Sequence, residues 1–478
     1  MAIILGSQSA VSGAYDVDNS CRFDGTSAYM SRTLGTPTST SKFTISVWVK
    51  KGAKGTNWET IFHAFTNTTN FVNLSFNGDD QLAWHVLDSN SEVSKLIGTP
   101  IHRDSSAWMH VCFAWDSTQG TAANRTKAYI NGTQQTVFGT QTNSAEDADY
   151  DMNTAVEHII GAEKGNTAGS IGNWFNGYMA EFCFIDGLAL APTSFGEFDE
   201  DSPTIWKPID VSGLTFGNNG LYLDFEDSDN LGDDESGNTL DFAETNLAAT
   251  DQMTDTPTNN YATLNPLMVP AANQPTFSEG NLKSVTNTTS GEYGWGGATT
   301  IGVTSGKWYC EALATVSGTS RSGIGVHYDP AEGARDNSYS VNEDYAWGYH
   351  SETGVLENDN ATVWDGNAYV TDDIIGIYLD LDNHKLYIAK NGTLENSGTG
   401  ASLTTGKTYF FYQEDLTGGT DHSTFEFNFG AGTSWTVSSG NADANGYGNF
   451  EYDPSAGSFD SASKDFYALN TKNLAEFG

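Results

Sequence analysis

Carboxylates spaced for hydrolysis are the first chemistry to look for in this chain, and one segment approaches that spacing, Glu197-Phe198-Asp199-Glu200-Asp201. Glycoside hydrolysis needs two carboxyl groups across the scissile bond, and some glucanases carry theirs on one strand with an E-x-D-x-(x)-E spacing. Here Glu200 follows Asp199 directly, so the two side chains would point to opposite faces, and Pro203 ends the strand. Nucleophile-elbow, Walker, HExxH and zinc-deaminase motifs are also absent from the sequence. We therefore expect no catalytic residue and no enzyme.

Acids spaced as in a calcium loop occur in the segment Asp227-Ser228-Asp229-Asn230-Leu231-Gly232. An EF-hand loop requires an oxygen ligand at the position of Leu231 and a helix on each side. The metal candidates are therefore Asp227, Asp229 and the following Asp233, with Ca²⁺ as the ion. The pattern favours a solvated acidic loop over a calcium site, so we expect no metal and no cofactor.

Tryptophans in turn-rich segments are the candidates for binding chemistry. A sugar ring stacks its apolar face on an aromatic plane, while Asp and Asn side chains bond to its hydroxyls. The alternative for each tryptophan is a place in the hydrophobic core or as a loop anchor. The candidate ligand-binding residues are Trp58, Trp84, Trp174, Trp295, Trp347 and Trp364.

The charge balance is strongly acidic, with 61 Asp and Glu against 21 Lys and Arg and a formal net charge of −40. Recognition of phosphates requires clustered Lys and Arg, which the sequence lacks, so we expect no nucleic acid partner. No apolar stretch approaches the roughly 20 residues of a membrane helix, so we expect no membrane insertion. The N-terminal MAIIL is too short for the core of a signal peptide.

The four cysteines, Cys21, Cys112, Cys183 and Cys310, show neither CxxC nor Cys/His metal spacing. So few cysteines in a chain of 478 residues favour buried, reduced thiols over two disulfides. The histidines of the first half are scattered without ligand spacing as well.

Alternating apolar residues predict the strands that must position any site. In residues 43–50 the odd positions are apolar and the even ones mostly polar, which indicates a half-buried strand. Trp48 lies on the polar face, where it either covers a neighbouring strand or offers a stacking surface. Residues 109–116 follow the same period, and Asn131-Gly132 between two strand-like runs predicts a hairpin.

The first half of the chain contains five landmarks in order: Phe23-Asp24-Gly25, a strand with internal Trp48, the run Trp108-Met109-His110-Val111, Tyr129-Ile130-Asn131-Gly132 and Trp174-Phe175-Asn176-Gly177. Through these landmarks it resembles the concanavalin A-like lectin/laminin-G family. The resemblance implies a jelly-roll sandwich with a concave face and a rim of loops. It also implies a protein that binds rather than catalyses.

In the second half, the stretch from Asp373 to Gly392 reads DIIGIYLDLDNHKLYIAKNG, with SGKWYCEA before it and FNFG after it. Through these stretches the second half resembles the SPRY family. Ile375, Ile377 and Leu379 fall on one side of a predicted strand, and Asp382-Asn383 forms the turn of a hairpin.

The sequence therefore predicts an all-β protein with two antiparallel β-sandwich (jelly-roll) domains in tandem, joined by an irregular acidic connector. The predicted divisions are an N-terminal arm with an anchoring role at 1–19, the laminin-G-like sandwich at 20–225, the connector at 226–280, the SPRY-like sandwich at 281–440 and a C-terminal tail at 441–478.

This domain order, the acidity and the connector together resemble virion structural proteins of tailed bacteriophages, particularly marine ones. The resemblance implies a tail fibre, appendage or capsid decoration protein, assembled in the cytoplasm of the bacterial host and displayed on the virion surface. Its implied partners are other virion proteins, further copies of itself, with a trimer expected, and cell-surface glycans bound through many weak contacts. The alternatives are a purely architectural virion component that binds only virion proteins, and a bacterial surface lectin.

Overall fold

The computed structural model contains two compact units, divided in sequence between Thr258 and Asn259. The N-terminal unit is described from Tyr15 onward, and the C-terminal unit includes strand Ile3–Ile4. Both consist mainly of antiparallel strands, which confirms the predicted all-β class. The structure describes residues 3–4, 15–52, 57–165, 170–271, 273–287, 294–316, 322–331, 340–415, 422–460 and 464–478.

Strand β1 is Ile3–Ile4, and the strands of the N-terminal unit come next in the chain. They are β2 (Ser20–Asp24), β3 (Tyr29–Thr33), β4 (Lys42–Lys51), β5 (Glu59–Asn67), β6 (Asn70–Phe76), β7 (Leu82–Asp88), β8 (Ser91–Gly98), β9 (Met109–Asp116), β10 (Thr126–Ile130), β11 (Thr133–Gln134), β12 (Phe138–Thr142), β13 (Glu157–Ile160), β14 (Glu163–Lys164), β15 (Ile171–Gly172), β16 (Asn176–Asp186), β17 (Gly196–Phe198), β18 (Trp206–Pro208), β19 (Leu221–Leu223), β20 (Ala243–Thr245) and β21 (Gln252–Met253).

Two sheets form the sandwich of the N-terminal unit. Sheet A has the strand order β11-β10-β9-β4-β16-β2-β21, with β19 also paired to β16, and sheet B has the order β12-β8-β7-β6-β5-β13-β3-β20. The odd-numbered residues of β4, from Phe43 to Val49, lie in the core cluster, as their alternation predicts. The turn between β10 and β11 is the predicted one, with Asn131 and Gly132 at φ of 46° and 74°.

The outward face of sheet A is also buried, because the chain after β16 folds back over it. Phe195, Val211 and Phe216 of this covering segment pack in one cluster with Cys112 of β9. Trp48 points to the same face and is 1% exposed. Its ring packs on the ring of His110, the directly opposed residue of the neighbouring strand β9. Of the two roles predicted for Trp48, covering a strand is the one observed.

Polar groups beneath this cover are paired with one another. The Lys50 ammonium lies 2.6 Å from a carboxylate oxygen of Asp255, and the Trp108 indole N–H donates to the other oxygen at 2.8 Å. Burial lowers the pKa of Lys50, and the adjacent Asp255 carboxylate opposes this shift. The Trp206 indole N–H donates to His110 Nδ1 at 3.0 Å, and burial lowers the pKa of that imidazole to about 3.

The C-terminal unit contains β1 and the strands that follow Thr258. These are β22 (Thr276–Ser278), β23 (Lys283–Val285), β24 (Gly294–Ala298), β25 (Ile301–Gly302), β26 (Lys307–Val316), β27 (Ser322–His327), β28 (Ala346–His350), β29 (Val355–Asn358), β30 (Ala361–Asp365), β31 (Ile374–Asp380), β32 (Lys385–Lys390), β33 (Thr393–Leu394), β34 (Ala401–Ser402), β35 (Phe410–Asp415), β36 (Thr424–Asn428) and β37 (Tyr467–Ala468), followed by the helix α1 (Thr471–Phe477).

Its two main sheets have the orders β22-β23-β36-β26-β31-β32-β33 and β24-β35-β27-β28-β29-β30. The predicted hairpin is β31–β32, in which Asp380 pairs with Lys385. The Asp380 carboxylate accepts the backbone N–H of Asn383 at 2.9 Å and so fixes the turn. No helix among the described residues is long and apolar enough to cross a membrane.

The C-terminal segment packs on a tyrosine-rich face of this unit. Phe450 and Phe466 share a cluster with Tyr309 and Tyr378, and β37 pairs in parallel with β26. The carboxylate of Glu311 accepts the backbone N–H groups of residues 451 and 452 at 3.0 and 2.7 Å. Burial raises the pKa of Glu311 to about 7.

The observed division differs from the predicted boundaries. Within the proposed connector at 226–280, β20 and β21 pair with β3 and β2, and Leu231 and Phe242 lie in the N-terminal core. The part after Thr258 belongs to the C-terminal unit, as does the proposed tail. Of the proposed arm at 1–19, residues 1–2 and 5–14 lie outside the described residues.

We expect Asp255→Ala to lower the free energy of unfolding of the N-terminal unit by about 3–5 kcal/mol, because it leaves the Lys50 ammonium buried without its counter-charge. Urea denaturation of the full chain, followed by tryptophan fluorescence, measures this loss. Glu92→Gln is the control. It breaks the ion pair between Lys95 and Glu92, whose side chain is 38% exposed, and should change the free energy of unfolding by about 0.5 kcal/mol or less. Equal losses in both variants would contradict the prediction.

Candidate functional site

A polar pocket lies on the outward face of sheet A, beside the covering segment. Its floor is a cross-strand row in which Ala114 of β9 lies between Thr44 of β4 and Lys127 of β10. Directly opposed residues of antiparallel strands share a face, so the methyl group of Ala114 leaves a gap between two longer side chains. The cavity above this row has a volume of about 210 Å³.

Residues 189–191 form one wall of the pocket and are held in place by Thr44. The Thr44 hydroxyl donates to the carbonyl oxygen of Leu188 and accepts the backbone N–H of Leu190, both at 2.8 Å. Leu190 packs against the apolar cluster under the covering segment. One threonine therefore attaches the wall to the strand that supplies the floor.

Asp116 stands at one end of the pocket with its charge already satisfied. Its carboxylate accepts the Thr118 hydroxyl and the Gln119 side-chain amide, each at 2.6 Å, and lies 3.4 Å from the Lys42 ammonium. Partial burial acts to raise the pKa of Asp116, but these hydrogen bonds and Lys42 outweigh it and hold the pKa below its ordinary value. The group is therefore an ionised hydrogen-bond acceptor at neutral pH.

The remaining wall consists of Asn124, Lys127 and Tyr129. Tyr129 is half-buried: it packs against the same apolar cluster as Leu190 and also lines the cavity. Burial raises the pKa of its phenol, so the ring is neutral at physiological pH. The pocket thus combines one aromatic ring, amide groups, a carboxylate and an ammonium, which is the set of groups that binds hydroxylated ligands.

Four of the predicted stacking residues are core residues and not loop residues, so the expectation for them is wrong. Trp84 lies in the inward row of β7 and stacks on Phe113 with 4.1 Å between ring centroids. Trp295, Trp347 and Trp364 lie in β24, β28 and β30 and are 2%, 3% and 9% exposed. Each occupies a strand position whose side chain packs inside the protein.

Trp58 and Trp174 are half-buried and lie on neighbouring segments of the N-terminal unit. The backbone N–H of Thr60 donates to the carbonyl oxygen of Asn173 at 2.9 Å, which joins their two segments. The Trp174 ring lies 5.8 Å from that of Tyr29. Stacking on a ligand stays a prediction for these two tryptophans. Neither of them lines the polar pocket.

The predicted calcium loop is organised by its own backbone. The Asp227 side chain accepts the backbone N–H of Asp229 at 2.9 Å, and Leu231, at the position where a ligand is needed, is 1% exposed in the core. Burial, with Asp241 and Asp227 nearby, raises the pKa of Asp233. Over the residues that the structure describes, no three His, Cys, Asp or Glu side chains are grouped to hold a metal ion. The expectation that this loop binds no calcium stays a sequence prediction.

The acidic run at residues 197–201 serves local structure. Strand β17 ends at Phe198, and the Asp199 carboxylate accepts the backbone N–H groups of Asp201 and Ser202 at 3.0 and 2.9 Å. Lys207 lies 3.4 Å from the carboxylates of both Glu197 and Asp199. The run is therefore a turn stabilised by an ion pair.

A buried carboxyl group, that of Glu181, lies at a β-bulge in β16. Glu181 has a positive φ of 52°, is 5% exposed, and its carboxylate accepts the hydroxyls of Tyr15 and Tyr222 at 3.0 and 2.9 Å. Burial raises the pKa of Glu181 from 4.5 to about 7, and the nearby carboxylates of Asp224 and Asp210 add to the shift. Because the Glu181 carboxyl is buried and both of its oxygens accept hydrogen bonds, its titration affects the stability of the unit.

The four cysteines are buried and free, and the N-terminal histidines His63, His110 and His158 are buried too. Burial lowers the pKa of these imidazoles to about 3, 3 and 4.

Residues 24–192, about a third of the chain, match the family described as the concanavalin A-like lectin/glucanases superfamily. This part of the N-terminal unit is therefore a lectin-type jelly roll. No curated protein matches the sequence.

Three solved structures are similar to this one at low identity. A heptameric SAP-like pentraxin from Limulus polyphemus is 19% identical, over 37% of this chain and 80% of that chain, with a TM-score of 0.29. The SPRY domain of human HERC1 is 16% identical, over 32% and 91%, with a TM-score of 0.27. A Bacteroides ovatus protein described as carbohydrate binding is 18% identical, over 48% and 59%, with a TM-score of 0.34.

We expect Glu181→Gln to gain stability relative to the wild type as the pH rises from 4.5 to about 7. A carboxyl group whose pKa is raised by folding stabilises the protein at low pH, and this contribution is lost as the pH rises through the folded pKa. The difference between the two unfolding free energies should change by up to about 1.4 kcal/mol per pH unit. The buried histidines have the opposite effect on stability as the pH rises. Both proteins contain them, so their contribution cancels in the difference.

Urea midpoints of both proteins at several pH values measure this difference. Glu200→Gln, which removes an exposed carboxylate from the same unit, is the control. A flat difference for Glu181→Gln would show that its carboxyl titrates normally.

Proposed function

We propose that this chain is a non-enzymatic, glycan-binding protein of a virion surface. The observation that carries glycan binding is the polar pocket over Ala114, in a unit whose fold is that of lectins. Asp116 supplies the only carboxylate among the residues that line the pocket, whereas glycoside hydrolysis needs two. The proposal is therefore binding without bond cleavage and without a cofactor.

The lining of the pocket supports a saccharide as the ligand. Sugar hydroxyls both donate and accept hydrogen bonds, and the pocket offers the Asp116 carboxylate as an acceptor and the amides of Gln119 and Asn124 as donors and acceptors. The Tyr129 ring supplies an apolar surface for the face of a sugar ring. A single small pocket binds weakly, so attachment to a cell surface depends on many copies acting together.

The virion assignment rests on the sequence resemblance to structural proteins of tailed bacteriophages. It includes assembly in the bacterial cytoplasm, contacts with other virion proteins and a homo-oligomer, with a trimer expected. Light scattering of the purified chain measures the oligomeric state. Mass spectrometry of gradient-purified particles and cryo-electron microscopy at domain resolution test the location. Absence of the chain from purified particles would overturn the virion assignment and favour a bacterial surface lectin.

A purely architectural role is the second candidate, and one surface favours it. Ile101 and Val137 are 53% and 64% exposed, and the Thr99 hydroxyl lies 3.5 Å from the carbonyl oxygen of Val137, which joins their segments. Exposed apolar side chains of this kind suit contacts with other proteins. Electron density for a neighbouring virion protein over both this surface and the pocket would favour the architectural role.

We expect Ala114→Leu to reduce saccharide binding about tenfold or more, because the larger side chain fills the gap between Thr44 and Lys127. A bacterial surface polysaccharide array, probed with multivalent protein, measures binding, and its repetition in EDTA tests the expected independence of calcium. Ala243→Leu places the same substitution at an exposed position of β20 and is the control. Unchanged binding in Ala114→Leu would remove the pocket from the proposal.

A further inference from the structure

Lys127 differs from the other basic residues of the N-terminal unit in its surroundings. Nearly all described Lys and Arg side chains of this unit lie within 4.0 Å of a carboxylate. These paired residues are Arg22, Lys42, Lys50, Lys51, Lys95, Arg103, Arg125, Lys164 and Lys207. Arg32 donates to the backbone carbonyl of Asp241 at 2.6 Å. Within the described part of the unit, this leaves Lys127 as the basic side chain without an ion pair or hydrogen bond.

The lack of a partner is notable because acids outnumber bases by 61 to 21 in this chain. Asp116, the carboxylate in the same pocket, is bound by Thr118, Gln119 and Lys42 instead. The Lys127 ammonium is therefore held at the wall of a cavity with its positive charge uncompensated. An anionic group on a ligand would be its natural counter-charge.

We propose that the pocket selects saccharides that carry an anionic group, with Lys127 as the residue that determines this specificity. The inference rests on the proposed glycan-binding function and names its ligand class. The recognised group is a carboxylate, as in a uronic acid, or a sulfate or phosphate ester. Lys127 binds this group directly, while Tyr129 stacks on the ring.

The placement of charges also sets the orientation of the ligand. The ionised Asp116 repels an anionic group at its end of the pocket, so that group turns toward Lys127 while neutral hydroxyls face Asp116 and Gln119. The large net negative charge does not prevent this, because at physiological ionic strength charges farther than about 8 Å are largely screened. The nearest charges decide which sugar is accepted.

Saturation-transfer NMR titrations of the full chain with glucose, glucuronate and glucose 6-sulfate test the inference. We expect the wild type to bind at least one of the anionic sugars about tenfold more tightly than glucose, since hydrogen bonds to charged groups are the stronger ones. Preference for glucuronate alone identifies a carboxylate as the recognised group, and preference for glucose 6-sulfate identifies an ester.

Lys127→Gln should lower the affinity for the anionic sugar to about that for glucose measured with the same variant, and Lys127→Arg should retain the preference. Lys95→Gln removes the same charge from β8 and serves as the control. Near-ultraviolet circular dichroism of each variant checks that the fold is intact.

The outcomes separate this inference from the proposed function. Equal binding of all three sugars, abolished by Ala114→Leu, would overturn anionic selectivity and keep the glycan pocket. An anionic preference that survives Lys127→Gln, or is lost equally in Lys95→Gln, would also overturn the inference. No binding of any sugar, here and on the polysaccharide array, would overturn the glycan-binding function itself.

Discussion

The ion pair between Lys50 and Asp255 shows the constraint on which the N-terminal unit depends: sheet A is buried on both faces. The alternation along β4 places polar side chains on the outward face, and burial of each without a partner would cost several kcal/mol. The covering segments supply those partners, namely Asp255 for Lys50 and Trp206 for the imidazole of His110. The pocket forms at the margin of this cover, where the chain passes beside Ala114 instead of filling the space above it.

The same constraint explains why the pocket is polar while its supports are apolar. Tyr129 and Leu190 pack on the cluster beneath the cover, so both walls are fixed by hydrophobic contacts. The polar groups that face the cavity are Asp116 at the end of β9, Gln119 and Asn124 between β9 and β10, and Lys127 of β10. Strand β10 lies next to the edge of sheet A. A rigid floor with polar groups at its rim suits a small, hydroxylated ligand, because little side-chain entropy is lost on binding.

Strand patterns in the sequence predicted much of the fold, and tertiary packing decided the rest. The alternation along β4 and the Asn131-Gly132 turn are local signals, and the strand and the hairpin are both confirmed. The predicted half-burial of β4 is wrong, because the chain after β16 covers its outward face. Trp84 carried a usable signal as well, because Leu82, Trp84 and Val86 alternate as an inward row. The pocket gave no such signal. The residue at the centre of its floor is a single alanine, Ala114. One wall, residues 189–191, comes more than 70 positions after Ala114 and is held by the Thr44 hydroxyl.

The pairing of β1 with β25 has a consequence for the order in which this protein is made. Ile3–Ile4 is translated before the N-terminal unit, and its partner Ile301–Gly302 is translated after the whole of that unit. Synthesis from the N-terminus lets that unit fold while the early strand still has an unpaired edge. The C-terminal unit must wait longer, because β37 joins β26 only when residues 467–468 emerge. During that interval its tyrosine face is exposed, so slow translation of the last segment would favour aggregation.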